Sequence, residues 1–224
     1  MKTALGVLLV SLLMIVIALL MPRGDVDEIA LLPWQIEPIG DSIRVFGLTL
    51  GQTTLGVAEQ RFQGDAEVSL FRRDENVYSM EAYFDKVELA GLSAKMVLVM
   101  DMSQAQLAEI YARGARISTL GSGSNKVSLS TADLHLTRQT PVASITYLPS
   151  ISLKPLQVER AFGVPRQTIN ENEDKAHWLY PDLGLDVLLS EKEQDVLQYV
   201  KPSRFEQILK PLTLTPVAMS AKKS

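Results

Sequence analysis

Residues 152–165 read SLKPLQVERAFGVP. Ser152 suits an N-cap, because its hydroxyl can accept from a free amide of a first helical turn. Pro155 suits that first turn, where its missing N–H loses no hydrogen bond. Leu156, Val158, Ala161 and Phe162 recur at helical spacing and give one partly apolar face. Gly163 can take the left-handed conformation that ends a helix, and Pro165 forbids continuation. The stretch predicts a helix of about two turns with both ends specified. So short a helix is unstable alone in water, so it needs a sheet to lie on.

The residues that follow supply one. Residues 166–170 read as a strand and 171–174 as a polar turn. Residues 175–180, KAHWLY, put Ala176, Trp178 and Tyr180 on one face and His177 and Leu179 on the other. After a Pro181-Asp182 turn, residues 183–189 alternate Leu183, Leu185, Val187 and Leu189 against Gly184, Asp186 and Leu188. Residues 195–200 form a last strand, which completes an antiparallel meander. Ser203 and Glu206 then stand at capping-box spacing and predict a further helix. The tail from Pro211 is rich in Pro, Thr, Ser and Lys and reads as loose.

The same order occurs earlier. Residues 50–64 read LGQTTLGVAEQRFQG. Thr53 or Thr54 can cap a helix, and Gly64 can stop it. Glu59 and Phe62 match Glu159 and Phe162 at a constant offset. Strands follow at 66–72, 77–84 and 92–100, and Ser103 with Gln106 opens a capped helix that ends at Gly114. The fold class is therefore α+β, as two helix-plus-antiparallel-sheet units at 47–149 and 150–210, with a flexible tail at 211–224. A loose internal duplication of about 100 residues accounts for the pattern. A generic helix-then-meander theme accounts for it as well. Between the halves, GSGSN at 121–125 reads as a hairpin loop joining strands at 116–120 and 126–129. It lacks the Lys-Ser/Thr of a phosphate loop. Ser130 and Asp133 suggest a capped helix to about Gln139, and 142–148 alternates as a strand.

Composition limits the chemistry. The formal charge of the 224 residues is −4, which argues against binding nucleic acid. With no cysteine in the chain, disulfides, thiol catalysis, thiolate metal sites and a lipidated cysteine are excluded. Thr3–Met21 is an apolar run that no charge interrupts. As a helix it spans roughly 30 Å, the thickness of a bilayer's hydrocarbon. No small-x-small site follows it, so residues 1–22 read as an uncleaved anchor rather than a signal peptide. Residues 23–46 read as a linker and lead-in strand, with Trp34 either packed on the domain or at the membrane interface. Lys2 flanks the amino-terminal side, and the expected orientation is amino terminus in, domain out. In a bacterium this gives a single-pass inner-membrane protein with a periplasmic domain.

The helix ending Phe162-Gly163-Val164-Pro165 before a meander resembles the β-lactamase-inhibitor-protein-like repeat. It is also similar to the small outer-membrane lipoprotein of the barrel-assembly machinery. The resemblance covers residues 150–201 and, more faintly, 47–101. It implies a short helix on an antiparallel sheet and a role in binding another protein. The chain departs from the lipoprotein in having an apolar segment where that family has a lipidated cysteine. The inhibitor's partner-binding residues have no counterpart here. The whole chain also resembles membrane-anchored proteins of proteobacteria.

No catalytic constellation stands out. His135 and His177 lack a second histidine at helical spacing, and there is no Gly-x-Ser-x-Gly elbow. His177 is expected to face solvent or a helix. Glu171, Glu173 and Asp174 lack calcium-loop spacing. Trp178 and Tyr180, with His177 beside them, are candidates for an interaction patch; packing beneath the short helix is the alternative. Three readings follow. One is a membrane-tethered, non-enzymatic interaction or scaffold module with an envelope protein partner and no cofactor. Another is a ligand-binding sensor, which predicts an apolar pocket between the halves. The last is a carboxylate- or His-dependent hydrolase, which predicts clustered carboxylates.

Overall fold

The computed structural model describes residues 31–74, 76–114, 116–119 and 125–214. The predicted anchor, the GSGSN loop up to Ser124 and the tail from residue 215 lie outside these. Among the described residues no helix is long and apolar enough to cross a membrane.

Alternating apolar residues create the sheet. A chain segment with every second residue apolar can bury one face of a strand and leave the other free. Ten such segments join: β4 (Glu67–Asp74), β5 (Val77–Leu89), β6 (Leu92–Met100), β7 (Arg116–Thr119), β8 (Asn125–Ser128), β9 (Val142–Pro149), β10 (Gln167–Asn170), β11 (Lys175–Tyr180), β12 (Leu185–Ser190) and β13 (Val196–Val200). Their spatial order is β10-β11-β12-β13-β9-β6-β5-β4-β8-β7, and every pairing is antiparallel. The β4–β6 and β10–β13 meanders each run inward and end beside β9. Strands from 67–149 and from 167–200 thus form one continuous sheet.

The register aligns a single apolar face. Phe84 opposes Met96, Met96 opposes Tyr147, Tyr147 opposes Leu197 and Leu197 opposes Val187. Onto this face pack α1 (Leu55–Phe62), through Phe62 against Phe84 at 5.4 Å, and α4 (Pro155–Phe162), through Phe162 against Tyr180 at 5.7 Å. The helix α2 (Gln104–Ala112) buries Leu107 and Ile110 in the same core, and α3 (Thr131–Arg138) is tied to α1 by Arg138 donating to Glu59 at 2.8 Å. The opposite face is covered at one end by α5 (Glu206–Leu214), where Phe205 and Ile208 meet Leu179 and Val200.

Local signals hold where a side chain closes a helix end. Ser103 and Gln106 form the predicted capping box, and Ser130 accepts from the Asp133 amide. Elsewhere the details differ. The N-cap of α4 is Lys154, two residues past Ser152, because Pro155 takes the first helical position. Gly163 has the expected positive φ, at 83°, but its ψ of −170° is extended, so the chain leaves straight into β10. In α1 the left-handed residue is Gln63 and not Gly64, and its amide reaches back to the helix carbonyls. Leu183 belongs to a 3-10 turn at Pro181–Leu183, and β12 starts at Leu185. Ser203 caps nothing: Pro202–Arg204 is another 3-10 turn, and Arg204 pairs with Asp101 at 2.9 Å. The last helix also runs through Pro211 to Leu214, since Leu209 and Leu212 pack on the sheet cluster.

Part of the presumed linker is core. β1 (Glu37–Ile39), β2 (Ser42–Val45) and β3 (Leu48–Thr49) form a separate small sheet. Phe46 and Gly47 both have positive φ, 53° and 70°, the geometry of a tight hairpin turn. The turn drives Phe46 inward, where it stacks on Tyr147 at 5.0 Å and meets the edge of Tyr199 at 5.4 Å.

Candidate ligand groove beside the short helix

The helix α4 is held on the sheet near both ends. At its C-terminal end, the Tyr180 hydroxyl donates to the Gly163 carbonyl at 3.0 Å. Before its first turn, the buried Asp195 carboxylate accepts from the Leu153 amide at 2.6 Å and from the Ser190 amide at 2.9 Å. Such charge-assisted bonds are among the stronger ones a protein makes. Between these ties only Val158 of the helix is buried.

Beside the helix lies a groove of about 690 Å³. Val158, Ala161 and Phe162 of α4 line it, together with Pro33 and Trp34 of the lead-in and Leu92 from the start of β6. Tyr147 and Leu197, almost fully buried, stand at its floor. It therefore lies between α4 and the start of β6, over β9 and β13. Trp34 and Ile151 at its margin are 44% and 58% exposed, so apolar surface faces solvent there. Of its sixteen lining residues, Arg160 alone is charged.

Two tyrosines under the groove differ in one respect. Tyr199 donates its hydroxyl to the Pro33 carbonyl at 2.8 Å, which secures the lead-in across the core. The Tyr147 hydroxyl is equally buried and has no hydrogen-bond partner among the described residues. Burial pushes the phenols of both upward, that of Tyr199 well above its ordinary range. A buried hydroxyl left unpaired is destabilising by about 1–3 kcal/mol. Native structures keep few such groups.

The candidate interaction residues do not form one patch. Trp178 is half-buried against the main core, and Tyr180 is buried under Phe162. Tyr180 thus lies beneath the short helix, and Trp178 packs on the core of the sheet. His177 points to the other face and is only 7% exposed, not turned to solvent. Its Nδ1 lies 2.9 Å from Asp186 Oδ2, and its Nε2 lies 3.7 Å from Glu171 Oε2. Burial alone lowers the pKa of the imidazole. Asp186, with help from Glu171, outweighs that and leaves it raised. With a carboxylate at each ring nitrogen, the imidazole is arranged to hold a proton rather than take one from a nucleophile. The sign of this pair in the sequence is the lone acid in the apolar run 183–189. Nothing in the sequence marks Tyr147 as a lining residue.

A smaller depression of about 220 Å³ on the opposite face is lined by Glu67, Ser69, Glu81, Tyr83 and Lys126, among others. Its charges are largely committed: Lys126 pairs with Glu67, and Arg73 with Glu81. Among the described residues no group of three or more His, Asp or Glu side chains is arranged to hold a metal ion. No protein-family model, curated protein or solved structure matches the chain.

Proposed function

We propose that the chain is a non-enzymatic binding module of the cell envelope, tethered to the inner membrane by Thr3–Met21, that takes an apolar ligand in the groove beside α4. The observation that carries this reading is a mostly apolar groove of about 690 Å³ whose one charged lining residue is Arg160, over a floor that includes Tyr147. Ligand sites commonly combine an apolar lining with a few placed polar groups, in volumes of about 300–1,000 Å³. The groove is lined from residues 33–34, 91–93 and 147–162 and Leu197, so a bound ligand would touch segments far apart in sequence, as a sensor requires. A scaffold reading has its own support in β10, which ends the sheet among the described residues, since a free strand edge can add a partner's strand. The resemblance to the inhibitor-like and lipoprotein repeats favours it too.

The two readings separate in one experiment. A photoreactive benzoylphenylalanine replaces Ile151 in the full chain, in intact cells. Trapping of an adduct of small-molecule mass, lost in the groove-filling variant Ala161→Trp, supports the ligand reading. Trapping of a protein through Ile151 supports the scaffold reading instead. With no adduct of either kind, the groove is not a binding site.

A further inference from the structure

Resting on the ligand-binding reading, we infer that the groove takes a single-chain lipid with an anionic head, its chain along the apolar wall and its head at Arg160. The lining selects an apolar body: Trp34, Leu92, Leu153, Val158, Phe162 and Leu197 offer no charge and no side-chain hydrogen bond except the Trp34 N–H. The volume limits its size. At roughly the 30 Å³ that a water molecule occupies in the liquid, the groove accommodates on the order of twenty heavy atoms. One acyl chain and a compact head fit that number, and two chains do not.

Charge selects the head. The chain as a whole is acidic, at −4, yet the only charged lining residue is a cation. Arg160, like Arg61 and Arg72, makes no ion pair among the described residues, whereas Arg44, Arg73, Arg113, Arg138, Arg166 and Arg204 each have a carboxylate; of the three, Arg160 alone lines the groove. A guanidinium presents a fork of donors that matches a carboxylate or phosphate. A cationic head is repelled there, and a neutral one leaves the fork unused. Polar lining side chains nearby, Ser93, Ser150 and Gln157, supply uncharged hydrogen-bonding points. Exposed apolar side chains also flank the short helix: Leu156 and Val164 are 58% and 76% exposed. Together with Ile151 they suit an approach from an apolar phase rather than from water.

The test keeps the full chain in its native membranes. Membranes are illuminated with a diazirine-bearing palmitic acid, with the matching hexadecanol, or with the matching hexadecyl phosphate, and labelled peptides are mapped. The expected result is labelling at Trp34 and within residues 151–162 by both acids, with the alcohol about tenfold weaker. Arg160→Gln should lower labelling by the acids about tenfold and leave the alcohol unchanged. The stronger of the two acids assigns carboxylate or phosphate as the preferred head. Ala161→Trp should abolish labelling at unchanged melting temperature. Labelling confined to residues 1–22 overturns the inference. Equal labelling by acids and alcohol, insensitive to Arg160→Gln, overturns the anionic head while leaving a groove that binds apolar chains. Failure of the binding reading itself shows differently, as no small adduct at residue 151 in cells.

Discussion

Phe46 stacks on Tyr147 at 5.0 Å while its own backbone holds a left-handed φ of 53°. The two facts oppose each other energetically. A left-handed φ costs a residue with a Cβ about 1–2 kcal/mol. Burial of the ring between Tyr147 and Tyr199 offsets it, since a fully buried aromatic contributes more than that. Phe46→Ala removes the ring and keeps the strain, so it should destabilise by about 3–5 kcal/mol. Phe46→Gly removes both and should be milder than the alanine variant, by about 1 kcal/mol. Denaturant unfolding of the two variants measures the difference. An alanine variant as stable as glycine, or more so, contradicts the strain argument.

Gly163 and Gly184 both have positive φ, 83° and 61°, for different surroundings. A Cβ on Gly163 meets nothing within 4 Å, so Gly163→Ala brings backbone strain alone, about 1–3 kcal/mol. A Cβ on Gly184 would lie 2.0 Å from the Val200 carbonyl oxygen, which itself accepts no such approach without backbone movement. Gly184→Ala should therefore be clearly the worse of the two in a thermal melt. Equal losses would mean that Val200 yields freely.

His177 gives a pH signature. Its folded pKa is raised above the ordinary 6.5, with burial opposing and Asp186 and Glu171 prevailing. A raised folded pKa means the charged form favours the folded state. That contribution is complete below the unfolded pKa of about 6.5 and disappears as pH rises through the folded value. Unfolding free energy attributable to this group should thus fall on going alkaline from about 6.5, not on going acid. Asp186→Asn should lower the His177 pKa. Nuclear magnetic resonance titration reads it directly, with His135→Gln assigning the two imidazole signals. A His177 that titrates at or below its ordinary value in the native chain contradicts the pairing.

Much of the fold is legible because short-range chemistry writes it. Ser103 with Gln106, Ser130 before α3, and the alternation of β6 and β9 are all read from neighbouring residues. The lead-in fails for a definite reason. Pro33, Pro38, Gly40 and Gly47 punctuate it like a linker, yet tight turns at those glycines fold Ile43, Val45 and Leu48 into the core. The His177–Asp186 pair depends on the β11–β12 register, which sets Leu179 opposite Asp186 and brings His177 diagonal to it. Groove residues lie further beyond sequence reasoning. Trp34, Leu92, Tyr147 and Phe162 come from four separate segments, and only the packing of α4 gathers them.

The apolar segment carries a simple expectation. If Thr3–Met21 is retained as an anchor, intact mass of the protein recovered from membranes should correspond to a start at Met1 or Lys2. A start near Pro22 rejects the anchor. Deleting residues 1–22 should release a soluble, folded domain, because the described core begins at Leu31 and contains no long apolar helix.

Tyr147 and Tyr199 allow a test of opposite signs with the same substitution. Tyr199 donates to the Pro33 carbonyl at 2.8 Å, so Tyr199→Phe leaves that buried acceptor unpaired and should lower stability by about 1–3 kcal/mol. Tyr147→Phe removes a hydroxyl that has no partner among the described residues and should raise the stability of the ligand-free chain by about 1 kcal/mol. The phenyl ring keeps its stacking on Phe46 in that variant. When the groove is occupied, the order changes. A ligand that bonds the Tyr147 hydroxyl stabilises the native chain in proportion to its binding and stabilises the Tyr147→Phe variant less. Melts of both variants, after delipidation and again with added palmitic acid, read the two effects separately. Destabilisation by Tyr147→Phe in the delipidated chain would mean that the hydroxyl already has a bond within the protein, and the groove would lose its polar anchor.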